Sequence, residues 1–128
     1  MEKSTIKPFY LFVLIILCSA ISSCEYEFIE VDLPDSNDYV SLTADIIPIF
    51  INNNKCTACH KTGSTPPDLT ADKAYQSIVP KLINTTDPES SKIYSTPNPM
   101  SSNHSFKKYT SAEAALVLAW IKQGALNN

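Results

Sequence analysis

Five consecutive residues, Cys56-Thr57-Ala58-Cys59-His60, combine the side chains with the clearest chemistry in this sequence. The two cysteines are spaced i, i+3, so a helical turn places both thiols on one face, and the histidine follows directly. This pattern predicts covalent attachment of one c-type haem. The two thiols would bond to the vinyl groups, and His60 would be an axial ligand of the iron.

Two other roles for these cysteines are a redox disulfide and a zinc site. A redox disulfide in a thioredoxin-like domain would require strands that alternate with helices, and the sequence has no such alternation. Structural zinc usually needs a second pair of Cys or His ligands, and only His104 is left to supply one. The histidine directly after Cys59 favours haem, and a haem-free lipoprotein with a Cys56–Cys59 disulfide is the remaining alternative.

The N-terminus has the pattern of an export signal. Lys3 and Lys7 precede an apolar run at 9–17 that is too short for a permanent transmembrane helix. Small residues then lead to Cys24, as in bacterial lipoprotein signals, so residues 1–23 are predicted to be removed and Cys24 to be lipidated. Export would bring the chain to the oxidising compartment where haem is attached to thiols.

This assignment uses every cysteine, since Cys18 leaves with the signal, Cys24 takes the lipid, and Cys56 and Cys59 take the haem. Residues 24–39 are rich in Asp and Glu and are predicted to be a solvated tether. The net charge of −3 gives no indication of nucleic-acid binding. We expect an exported protein, lipid-anchored to the bacterial cell envelope on the periplasmic side or at the cell surface.

Residues 40–128 form the predicted domain, and its local signals are helical. Asp45 is the predicted N-cap of a first helix with Pro48 in its first turn, ending at the three asparagines 52–54. Thr70 is the predicted cap of a second helix that Pro80 stops, and a third is predicted to start at 87–89.

The last helix has the strongest signals. Thr110-Ser111-Ala112-Glu113 is a capping-box pattern, and Val117, Trp120 and Ile121 follow on one face. Gly124 or the asparagines 127–128 would end the helix. The prediction is therefore an all-α domain.

Residues 41–127 resemble a small class I-type cytochrome c domain, particularly short bacterial lipoproteins with the pattern DI-x-PIF, then C-x-x-CH, then WI-x-x-GA. Here these segments are at 45–50, 56–60 and 120–125. The resemblance implies a helical domain around one haem, with Phe50 and Trp120 packed where the first and last helices cross. It also implies that a proline carbonyl, from Pro66 or Pro67, orients His60.

The resemblance further implies a methionine as the sixth iron ligand, in a loop before the last helix. Met100 fits this position, although the Met-Pro pair common in the family is absent. His104 lies four residues further on and is the alternative ligand. Thioether ligation would raise the reduction potential, and a second imidazole would lower it.

The expected function is therefore that of a membrane-tethered monohaem cytochrome that exchanges single electrons with redox partner proteins. No side chain is expected to act as a catalytic acid or base, so the chain is not expected to be an enzyme. The alternative is a haem-based sensor or ligand-binding module with an open or weakly ligated sixth position.

Overall fold

The computed structural model describes residues 39–106 and 108–128, so the predicted signal, Cys24 and all of the tether but its last residue lie outside the described part. Within those two ranges the chain is helical and has no strand, as the all-α prediction requires. None of the helices described there is long and apolar enough to span a membrane. In chain order the elements are a π-helical turn Leu42–Ile46, α1 Ile47–Ile51, a 3₁₀ turn Asn52–Asn54, α2 Ala74–Ile78, a 3₁₀ turn Pro88–Ser90, α3 Lys92–Ser95 and α4 Ser111–Lys122.

The first helical segment begins earlier than predicted. Ser41, not Asp45, is its N-cap, and the Ser41 hydroxyl accepts a hydrogen bond from the Ala44 amide at 3.1 Å. The Asp45 carboxylate accepts from the Ser41 amide at 2.7 Å, so each of the two side chains satisfies one backbone amide at the start of this segment. Pro48 lies in the first turn of α1, as predicted, where its missing N–H costs little.

The asparagines after α1 turn the chain towards the two cysteines. Asn53 and Asn54 have φ values of 53° and 51°, in the left-handed region that asparagine tolerates better than most residues. This reversal ends the helix just before Lys55, as the sequence predicted.

The middle helices are shorter than predicted. α2 begins only at Ala74, because the Thr70 carbonyl oxygen accepts bonds from Lys73 and Ala74 in a preceding turn. The Thr70 hydroxyl donates to Asp68 at 2.6 Å, and α2 has no side-chain cap. Residues 87–95 form a 3₁₀ turn and α3 in place of one continuous helix.

The prediction for the last helix is confirmed. The Thr110 side chain accepts from the Glu113 amide at 3.2 Å, and the Glu113 carboxylate accepts from the Thr110 amide at 2.6 Å. Gly124 has a φ of 98°, which requires the conformational freedom of glycine and ends the helical path after Lys122.

One buried cluster holds the first and last helical segments together. Phe50 and Trp120 are both fully buried in it, and the turn Leu42–Ile46 contacts α4. The Trp120 indole N–H donates to the Leu126 carbonyl oxygen at 2.9 Å, which satisfies the one polar atom of that side chain. These packed segments support the chain on either side of residues 56–60.

Candidate functional site

Residues 56–60 form a single helical turn fixed to the end of α1. The Cys56 amide donates to the Phe50 carbonyl oxygen at 2.9 Å, and the His60 amide donates to the Cys56 carbonyl oxygen at the same distance. No disulfide joins Cys56 to Cys59. The turn thus positions two thiols and an imidazole within one short segment, in the arrangement that the spacing predicted.

The His60 ring is oriented by a backbone carbonyl group. Its Nδ1 lies 3.2 Å from the carbonyl oxygen of Thr65, not from that of Pro66 or Pro67 as the resemblance implied. Thr65 is brought there because its own amide donates to the Cys59 carbonyl oxygen at 3.1 Å. A bond from Nδ1–H to this carbonyl leaves Nε2 as the nitrogen that can bind a metal.

An apolar cavity of about 310 Å³ opens beside this turn. Cys56, Cys59 and both histidines of the chain line it. Most of the remaining wall is apolar or aromatic, and two lysines complete it. The other lining residues are Lys55, Pro66, Pro67, Leu69, Leu82, Lys92, Ile93, Thr96, Pro97, Phe106 and Tyr109. A cavity of this size and character is typical of a site for an apolar small molecule or cofactor.

Tyr109 forms a buried part of the cavity wall. Its hydroxyl donates to the Ile93 carbonyl oxygen at 3.0 Å, and the side chain is almost completely buried. Burial raises the pKa of Tyr109 well above its ordinary value, and the nearby Cys56 and Glu113 add to that shift. The phenol therefore stays neutral, and it ties the chain before α4 to α3.

An ion pair joins the cysteine turn to α4. Lys55 Nζ donates to the Glu113 carboxylate, and both side chains are largely shielded from solvent. Burial alone would raise the pKa of Glu113, but the bonds from Lys55 and from Thr110 outweigh it and hold the pKa below its ordinary value. The sequence does not predict this pair, because only the capping role of Glu113 has a local sequence signal.

His104 lies across the cavity from the cysteine turn. The ring centroids of His60 and His104 are 6.2 Å apart, and the two ring planes differ by only 26°. His104 Nδ1 is buried and has no hydrogen-bond partner in the described part of the chain. The structure thus brings Cys56, Cys59, His60 and His104 to one cavity.

Met100, the other predicted iron ligand, is not among the residues that line this cavity. Its side chain is 92% exposed. Its amide donates to the Asn98 side-chain oxygen at 3.0 Å within a local turn, and the next residue, Ser101, donates its amide to the Asn98 carbonyl oxygen at 2.9 Å. The structure therefore places Met100 in solvent, apart from the other predicted site residues.

The side chains present fit a haem better than a bare metal ion. In residues 39–106 and 108–128, no group of three or more His, Cys, Asp or Glu side chains is arranged to hold a metal ion by itself. A haem iron needs no such group, because the porphyrin supplies four ligands and the protein at most two. The apolar wall suits a flat apolar macrocycle. The two thiols could bond to its vinyl groups, and the unpartnered imidazole nitrogen could bind its iron.

No family model, curated protein or solved structure matches this chain. Function must therefore be inferred from the sequence pattern and from the geometry of the cavity. The strongest single geometric feature is that residues far apart in sequence, His60 and His104, meet at the cavity that the two cysteines line.

Proposed function

We propose that the protein is a monohaem c-type cytochrome, a one-electron carrier built on a helical domain similar to class I cytochromes c. The observation that carries this proposal is the apolar cavity at the Cys56–His60 turn, with its two thiols and its pair of facing imidazoles. The protein would act as a carrier and not as an enzyme.

The chain's own residues would divide the work of binding. Cys56 and Cys59 would form the two thioether bonds, and His60 would ligate iron through Nε2 while its Nδ1–H is held by Thr65. When bound, haem c supplies the Fe(III)/Fe(II) couple. Lys92 also lines the cavity, and its positive charge suits a carboxylate of the haem, whereas the charge of Lys55 is already paired with Glu113.

The cavity wall would both exclude water and leave an edge for electron exchange. Leu69, Ile93 and Tyr109 are buried and would cover the inner part of the macrocycle. Cys59 is exposed, and Phe106 is 65% exposed, so the cavity reaches solvent near these two residues. A redox partner protein would exchange electrons there, since the transfer requires close approach to the cofactor but no bond to it.

Cys24 would attach this domain to a membrane through a lipid, after removal of residues 1–23. The acidic residues that follow Cys24 would act as a spacer between the anchor and the domain. The proposal therefore includes export and anchoring to the bacterial cell envelope, with redox partner proteins and no nucleic acid as partners.

Covalent haem attachment can be tested directly by making the full chain together with a cytochrome c maturation system. The purified protein should retain haem after denaturation, and a pyridine haemochrome assay should give one haem per chain. Cys56→Ala/Cys59→Ala should lose covalent haem completely. Thr57→Ala, between the two cysteines, is the matched control and should retain it.

Two results would overturn the proposal. One is a wild-type chain that leaves the maturation system with unmodified thiols. The other is covalent haem that persists in the double cysteine variant, because attachment would then occur elsewhere in the chain.

A further inference from the structure

We infer that His104, and not Met100, is the second axial ligand of the iron, so that the site is a bis-histidine site. This inference rests on the proposed function, since it concerns the side of the haem opposite His60. It departs from the sequence-based expectation, in which Met100 was the first choice and His104 the alternative.

The distance between the two imidazoles fits one metal between them. A metal–imidazole nitrogen bond is about 2.0–2.1 Å and the ring centroid lies about 1.1 Å beyond the nitrogen, so two opposed ligands have centroids about 6.3 Å apart. The centroids of His60 and His104 are 6.2 Å apart, with ring planes inclined by 26°. The observed separation therefore equals that of two imidazoles that bind one metal from opposite sides through a ring nitrogen each.

The unpartnered nitrogen of His104 is a second, independent observation. Its Nδ1 is buried without a hydrogen bond in the described part of the chain. A buried polar atom without a partner destabilises the folded state, so such atoms are rare in the absence of a ligand. A neutral imidazole can bind metal through either ring nitrogen, and the other one then becomes available as a donor.

Met100 has neither the position nor the burial of a ligand. Its side chain is 92% exposed and does not line the cavity. Asn98 holds the local turn by accepting from the Met100 and Ser101 amides. Ligation by Met100 would require this turn to open and His104 to leave the cavity, because both residues belong to the same short loop.

Bis-histidine ligation would lower the reduction potential of the iron and so limit which redox partner proteins can exchange electrons with it. An imidazole in place of a thioether favours Fe(III) and lowers the reduction potential. The protein would therefore exchange electrons with partners of lower potential than a His/Met cytochrome of similar exposure would. Because both axial positions are filled, gaseous ligands such as carbon monoxide would bind slowly or not at all.

The test compares single variants of the covalently haem-loaded chain by absorption and electron paramagnetic resonance. His104→Ala should convert ferric iron from low spin to high spin or water-ligated, allow rapid carbon monoxide binding in the ferrous state, and regain a low-spin spectrum on addition of imidazole. Asn103→Ala, an exposed neighbour in the same loop, is the matched control and should leave the spectrum unchanged. Met100→Ala should also leave it unchanged.

The inference is overturned if Met100→Ala abolishes the low-spin spectrum while His104→Ala retains it, or if wild-type ferrous protein binds carbon monoxide at once. Should His104→Ala fail to fold, the wild-type ferric protein still decides the matter. It should give the resonance pattern of two nitrogen ligands and lack the charge-transfer absorption of a sulfur-ligated ferric iron. Each of these results requires attached haem, so an unloaded wild-type chain would instead count against the proposed function.

Discussion

The two walls of the cavity are built very differently. The proximal wall, residues 56–69, is held by backbone hydrogen bonds. The Cys56 amide donates to Phe50 of α1. Within the wall, the Thr65 amide donates to Cys59 and the Leu69 amide donates to His60. The distal wall, residues 97–106, consists of loop. Among the described residues, 98–106 make one backbone–backbone hydrogen bond, which the Ser101 amide donates to the Asn98 carbonyl oxygen three residues earlier.

This difference predicts which wall would depend on a bound haem. The proximal wall would need no haem to keep its path, because these backbone hydrogen bonds within the protein already fix it. The distal wall contains an unpartnered buried imidazole nitrogen and a largely exposed phenylalanine, Phe106, beside an apolar cavity. A ligand between the walls would supply the partner and the apolar surface that this loop lacks.

The largest expected effect is the loss of order in the distal wall without haem. In the Cys56→Ala/Cys59→Ala chain, amides of residues 98–106 should exchange with solvent rapidly, whereas those of α4 stay protected, because α4 is capped and packed into the core. Hydrogen exchange of the haem-loaded and haem-free chains measures this. Equal protection of the distal wall in both would contradict the contrast between the walls.

A core substitution and a cavity-wall substitution should lower the free energy of unfolding of the haem-free chain by very different amounts. Trp120 is fully buried, so Trp120→Ala should reduce the free energy of unfolding by about 3–5 kcal/mol or prevent folding. Phe106 is 65% exposed, so Phe106→Ala should change the free energy of unfolding by less than about 0.5 kcal/mol. Denaturant unfolding provides the comparison, and a cost for Phe106→Ala near that of Trp120→Ala would refute it.

A smaller effect is expected at the start of α4. Thr110→Ala removes the oxygen that accepts from the Glu113 amide and should cost about 0.5–2 kcal/mol of stability. Thr85→Ala, at an exposed position, is the control and should be nearly neutral. The two thermal unfolding curves should therefore separate, and coincident curves would show that the cap contributes nothing.

The smallest effect concerns the ion pair between Lys55, the residue just before the proximal wall, and Glu113 of α4. The pKa of Glu113 is below its ordinary value of 4.5, so its charge stabilises the folded state above that pH and this contribution is lost as the pH falls through the lowered pKa. Glu113→Gln, which preserves a capping-box side chain, should cost about 1 kcal/mol or less at pH 7 and nothing in strong acid.

Urea unfolding at pH 7 and in strong acid, at about pH 2, measures the effect of this charge. Glu89→Gln is the control, since Glu89 is mostly exposed and lies 4.0 Å from Lys122. A penalty for Glu113→Gln that is the same at both pH values would show that the charge of Glu113 is not responsible.

The sequence predicts those elements whose conformation is determined by residues close together in the chain. The capping box of α4, the stop at residues 52–54 and the cysteine turn are local, and the sequence predicts all three. The Ser41 cap was missed because its partner Asp45 looked like a cap itself. The Thr65 contact to His60 was missed because a six-residue loop, not the motif, determines which carbonyl reaches the ring.

The choice between Met100 and His104 illustrates what a sequence leaves open. Both lie at suitable spacing from the motif, but the path of their loop depends on distant contacts. Tyr109 anchors the end of the loop through Pro97 and Ile93, and the Lys108 amine donates to the Ser101 carbonyl oxygen. These contacts direct His104 to the cavity and leave Met100 in solvent, and none of them has a local sequence signal.

The most direct test of the central claim is the absorption spectrum of the purified, haem-loaded protein in both oxidation states, before and after denaturation. We predict one haem that stays on the denatured chain and is low spin with two nitrogen ligands in the folded protein, whether oxidised or reduced. A folded protein without covalent haem absorption would contradict the account.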